Sequence, residues 1–171
     1  MPMLASHEAV SRPIIGIYLS VGGIHSAQTS TGSTVMLSHP LSEVFKSIFW
    51  VNKARFNEAR VRLQATTMLQ PGWDTYGADP PSQIARELAQ KILRKLEAEA
   101  LPPSRLLPSS EGGIAISFAN EHGRAEIEIY NTGEIAAATY SDQDDPIVWD
   151  IDGSDSGIAA AIGQIRVRLS A

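Results

Sequence analysis

Between Leu41 and about Met68, apolar residues return every three or four positions: Leu41, Val44, Phe45, Ile48, Phe49, Phe56, Ala59 and Leu63. That period predicts a helix. Pro40 stands just before its start, where proline is tolerated, and Ser42 is the alternative cap if the helix begins one residue later. Pro71-Gly72 stops it. A second helix is predicted from about Ser82 to Ala100. Ile84, Leu88, Ile92 and Leu96 share one face, with Ala85, Ala89 and Leu93 beside them. Ser82, after Pro80-Pro81, is its N-cap, and Pro102-Pro103 ends it.

The period then changes to two. Ile114, Ile116 and Phe118 alternate with small or polar residues, and Asn120-Glu121-His122-Gly123 reads as a turn. Ala125, Ile127 and Ile129 alternate with Glu126, Glu128 and Tyr130. Asn131-Thr132-Gly133 makes the next turn and Ile135 to Tyr140 the next strand. Pro146 to Ile151 adds a fourth strand. Such alternation predicts an antiparallel meander with one apolar and one wet face. A last helix, Ile158 to Leu169, follows, with Asp155 or Ser156 as its cap. The expected architecture is α+β: a meander of three to four strands packed against two to three amphipathic helices.

Ahead of this pattern lies an arm, residues 1–38. Its Ile14-Ile15-Gly16-Ile17-Tyr18-Leu19 run reads as a short buried strand in preference to a signal segment, because Glu8 and Arg12 cancel ahead of it. The Ser/Thr/Gly-rich run from Ser26 to Thr34 reads as a linker. Residues 39–171 are left as the α+β domain.

Composition narrows the chemistry. The 171 residues contain no cysteine, which removes disulfides, thiol catalysis and cysteine-held metals and suits a reducing cytoplasm. No apolar run approaches the ~20 residues that span a bilayer, so no membrane partner is expected. Charge is uneven. Residues 1–105 carry 11 Lys and Arg against 8 Asp and Glu, while residues 106–171 carry 3 against 11. A molecule polarised in this way steers a charged partner.

The densest segment is Pro71-Gly72-Trp73-Asp74-Thr75-Tyr76-Gly77-Ala78-Asp79-Pro80-Pro81-Ser82. Glycine and proline restrict the backbone in opposite ways, so this segment has a specified shape. Asp74 accepts backbone N–H bonds in such a turn. Trp73 and Tyr76 then anchor a partner or clamp the loop to the fold. The order Gly-Trp-Asp-x-Tyr-Gly-Ala-x-Pro, followed by a helix, a proline-rich break, Gly-Gly-Ile and a meander, resembles a family of small bacterial and phage-associated proteins of uncharacterised function. The resemblance covers about residues 69–140. It implies a bacterial or mobile-element origin, and with it a toxin–antitoxin, immunity or phage counter-defence setting. The usual form of the motif carries glycine where this chain has Thr75. A β-branched residue there predicts a backbone that is not left-handed.

Other groups admit competing readings. Lys46, Lys53, Arg55, Arg60 and Arg62 on the first helix, near Phe49 and Trp50, form either a weak nucleic-acid surface or a solvated face. The acidic balance of the whole chain disfavours nucleic acid. The apolar Phe45–Val51 patch calls for cover by the sheet or by a second chain, a homodimer included. Asp150-x-Asp152-Gly153-Ser154-Asp155 fails as a calcium loop: glycine falls at position 4 and Ala161 at position 12, and no metal site is expected. Asp74, Glu126 and Glu128 are the carboxylates a hydrolytic or metal-assisted enzyme would use. His122 sits in a turn, with no nucleophile elbow or phosphate-cradling loop in the chain to join. The preferred reading is a binding protein without catalytic residues or cofactor, with another protein as its partner and Trp73, Asp74, Tyr76, Phe49 and Trp50 as the contacts.

Overall fold

Alternation in the second half of the chain produces one sheet of five strands, in the order β1 (Arg105–Ser109), β2 (Gly113–Ala119), β3 (Arg124–Tyr130), β4 (Ile135–Tyr140) and β5 (Ile147–Asp150). Every neighbouring pair is antiparallel. The structure is a computed structural model, and it describes residues 40–141 and 145–170. The arm proposed for residues 1–38, with its strand and linker, lies outside the described residues. Three helices accompany the sheet: α1 (Pro40–Ala65, continued by a 3-10 turn at Thr66–Met68), α2 (Gln83–Ala98) and α3 (Asp155–Ser170). The fold is α+β as expected, with one strand more than the sequence pattern announced.

The extra strand is β1. Leu106 is its only fully buried side chain, and Pro108 offers no N–H to a ladder. Among the described residues it pairs on one side only, with Leu106 opposite Ile116 and Pro108 opposite Ile114. Proline is tolerated on such an edge. Two apolar residues and a proline carry no readable alternation, which is why the pattern passes over it.

The apolar positions of period two all face one way. Ile114, Ile116 and Phe118 of β2, Ala125, Ile127 and Ile129 of β3, and Ile135 and Ala137 of β4 are buried. Ile92, Leu93 and Leu96 of α2 and Ile158, Ile162 and Ile165 of α3 pack on them. Each such side chain contributes about 1.5–3 kcal/mol relative to exposure, so packing on this face holds the helices. Gly113, at the start of β2, has φ +143°, and a Cβ there would lie 2.1 Å from the Ile129 carbonyl oxygen. Only glycine permits this approach of β2 to β3.

α2 begins as predicted. The Ser82 Oγ accepts from the Ala85 N–H at 3.1 Å. α3 begins differently: the cap is Ser154, whose Oγ accepts from the Gly157 N–H at 3.1 Å, and neither Asp155 nor Ser156. Asp155 lies in the first turn instead and reaches Lys91 at 2.9 Å and Lys95 at 3.1 Å, tying α3 to α2. α1 joins the core only through its C-terminal part, by Phe56, Ala59 and Leu63. None of its described residues before Phe56 is buried.

Candidate functional site

The loop between α1 and α2 is built from its own backbone. Asp74 Oδ1 accepts from Tyr76 N–H at 3.0 Å and from Ala78 N–H at 2.9 Å. The Gly72 N–H donates to the Ala78 carbonyl at 2.9 Å, and the Thr75 N–H to Gly72 at 3.0 Å. The N–H bonds to the carboxylate, led by the one from Ala78, hold the Asp74 carboxyl below its ordinary value. Gly72 and Gly77 take positive φ, at +78° and +96°. Thr75 does so too, at φ 68°. This overturns the expectation from its β-branched side chain. The N–H bonds to Asp74 close the turn, and Thr75 is left-handed within it.

The same loop divides its aromatics. Trp73 is half-buried and its indole Nε1 donates to the Asp79 carbonyl at 3.4 Å. Tyr76 is 93% exposed. Trp73 and Asp74 therefore shape the loop, and Tyr76 is what the loop presents. Asn131, in the β3–β4 turn, fixes the loop to the sheet. Its Oδ1 accepts from Ser82 N–H at 2.6 Å, its Nδ2 donates to Pro80 O at 3.1 Å, and its carbonyl accepts from Ser82 Oγ at 3.1 Å. Sequence reasoning took Asn131 for a turn residue. The only signal was its position next to Thr132-Gly133, and turn chemistry alone accounts for that.

The first half of α1 stands clear of the domain. Val44, Phe45, Ile48, Phe49, Trp50 and Val51 are all at least half exposed, Phe45 at 68% and Trp50 at 62%. Phe49 and Trp50 meet edge to face, with centroids 5.7 Å apart, and Lys53 Nζ lies 5.3 Å from the Trp50 ring centre. About 22 Å of helix axis separates Trp50 from Ala65. The tip of α1 and the Tyr76 loop, expected as one set of contacts, are thus two separate places.

The basic residues of α1 are mostly engaged. Lys46 pairs with Glu43 at 2.8 Å, Arg62 with Glu58 at 2.9 Å, and Arg60 with Glu97 of α2. Arg55 and Lys53 are in no ion pair among the described residues. Arg60, Arg86 and Arg94 line a shallow groove of about 550 Å³ between α1 and α2, together with Glu87 and Glu97. Its mixed charge makes no phosphate track.

Among the described residues the helices cover one sheet face only. On the other face lie, by register, a row of Leu107, Ala115, Glu128, Ala136 and Asp150 and a row of Arg105, Ser117, Glu126, Ala138 and Val148. Ser117 Oγ donates to Glu126 at 2.8 Å, and Ser109 Oγ to Glu128. At one end of this face Tyr130 is pushed above its ordinary pKa, first by burial and then by Glu128, Glu111, Asp150 and Glu134. Among the described residues no element lies over these two rows.

Asp74, one carboxylate of the enzymatic alternative, does not converge with His122. Asp74 belongs to the loop pinned at the Asn131 end of β3. His122 is exposed in the β2–β3 turn, at the other end of that strand, roughly 20 Å away. Asp152 is bonded within its loop, its Oδ2 accepting from Ser154 Oγ at 2.7 Å, and is held below its ordinary pKa by that bond first. No group of three metal-ligating side chains forms among the described residues. No helix among the described residues is long and apolar enough to cross a membrane. The chain matches no protein-family model, no curated protein and no solved structure.

Proposed function

We propose that this protein is a non-enzymatic protein-binding module, and that the tip of α1 is its docking element. The observation that carries this reading is the uncovered apolar tip: about three turns of helix whose Phe45, Phe49 and Trp50 face water. An apolar patch of this kind on a soluble fold marks an interaction site, and aromatic side chains dominate binding energy at interfaces. The rooted half of α1 supplies a rigid base, so the tip is ordered before contact and little conformational entropy is lost on binding. Tyr76, on its braced loop, is a second contact at a distance from the first. The bacterial or phage-associated setting implied by the Gly-Trp-Asp-x-Tyr-Gly-Ala motif accords with such a role in toxin–antitoxin, immunity or counter-defence systems.

The test is a variant with Phe45→Ser, Phe49→Ser and Trp50→Ser. Because these side chains are exposed, thermal stability should change by no more than about 0.5 kcal/mol, while capture of partners by the tagged chain is lost. A variant that captures the same partners as the natural chain refutes the reading.

A further inference from the structure

The geometry points to a second copy of this chain as the partner, with the α1 tip of one molecule laid across the open sheet face of the other and the reverse contact made at the same time. The inference rests on the reading of the tip as a protein interface and names its occupant. Four observations support it.

First, the tip cannot reach its own sheet. α1 runs unbroken from Pro40 to Ala65 and is rooted by Phe56, Ala59 and Leu63 on the covered side, so its straight continuation stays away from the open face. Second, shapes match. Phe45, Lys46, Phe49, Trp50 and Lys53 fall within roughly 140° of the helix circumference at 100° per residue. The open face offers a bed of small side chains, Ala115, Ser117, Ala136 and Ala138, into which large rings fit. Five strands at ~4.8 Å spacing span ~19 Å, and Glu43 to Arg55 spans ~18 Å.

Third, charges match. The two central rows carry Glu126, Glu128 and Asp150 against Arg105, while the tip face carries Lys46 and Lys53, with Glu43 beside Lys46. Pairing α1 tips with each other would instead set like charges together. Fourth, the area suffices. The exposed side chains of one tip present roughly 600 Å², and a reciprocal pair of such contacts reaches the size of a stable interface. A two-fold axis closes the assembly, because each molecule gives one tip and receives one.

Sedimentation equilibrium on the full chain tests this. The expected mass is twice the 18.4 kDa of the chain. Lys46→Glu/Lys53→Glu and Glu126→Lys/Glu128→Lys should each weaken dimerisation at least about tenfold, and mixing the two should restore it. Should the second variant fail to fold, Ala138→Trp, which fills the bed without touching charge, takes its place and should also yield monomers. A natural chain that stays monomeric at about 100 µM overturns the inference. So does a sheet variant that dimerises as tightly as the natural chain when the tip variant does not, since tip-to-tip pairing then holds the dimer. A monomeric chain that still needs Phe49 and Trp50 to hold a different protein refutes the self-pairing alone. A chain whose Phe45→Ser/Phe49→Ser/Trp50→Ser form associates and binds unchanged refutes the docking reading as well.

Discussion

Thr75 is the most informative single residue. It holds φ 68° because Asp74 and the Gly72 and Ala78 backbone close the turn around it. A β-branched residue in this region carries about 1–2 kcal/mol of strain. Thr75→Gly should therefore raise stability by up to about 1 kcal/mol, read by chemical denaturation, with the gain partly offset by the freedom glycine has when unfolded. Asn131 is the opposite case. Its side chain serves Ser82 and Pro80 at once, so Asn131→Ala strands the Ser82 N–H and the Pro80 carbonyl and should lower stability by about 1–3 kcal/mol on the same measurement. Neither effect was legible in the chain. The turn at 71–82 was, because its glycines, prolines and Asp74 are local signals. The sign of φ at Thr75 was not, because propensity there loses to bonds that the neighbouring residues make.

At the scale of elements, legibility followed periodicity. α2 shows a single apolar stripe and its Ser82 cap was readable, and Ser82→Ala should lower stability by about 1 kcal/mol in thermal melts. β2, β3 and β4 alternate cleanly and lie where the pattern set them. β1 has one buried apolar side chain, so its existence depends on β2 offering an unpaired edge, a tertiary fact with no local trace. The cap of α3 is Ser154, while Asp155, the next residue, reaches across to Lys91 and Lys95. The apolar stripe of α1 was visible in full. Sequence could not show that its first half lacks cover, since burial of one residue depends on where the rest of the chain goes.

For the whole molecule, acid is the condition to which the loops answer together. Asp74, Asp152 and Asp155 all have carboxyls held below the ordinary 3.8, by loop N–H groups, by Ser154, and by Lys91 and Lys95 respectively. A carboxyl with a lowered folded pKa contributes stability that is present above its unfolded pKa and is lost as pH falls through the folded one. The melting temperature should therefore drop as pH falls below about 4. Asp155→Asn should lower it at neutral pH, and the gap between variant and natural chain should close under acid. A gap that stays constant from pH 7 to about pH 3 would show that the bridge to α2 adds nothing.

The division of α1 into a buried root and a bare tip has an evolutionary consequence. Side chains from Val44 to Val51 support nothing in the domain beneath them, so they can be exchanged freely without endangering the scaffold. Changes there alter what the tip contacts and leave the scaffold as it is, whereas Phe56, Ala59 and Leu63, about one to three turns farther along the same rod, are held by the core.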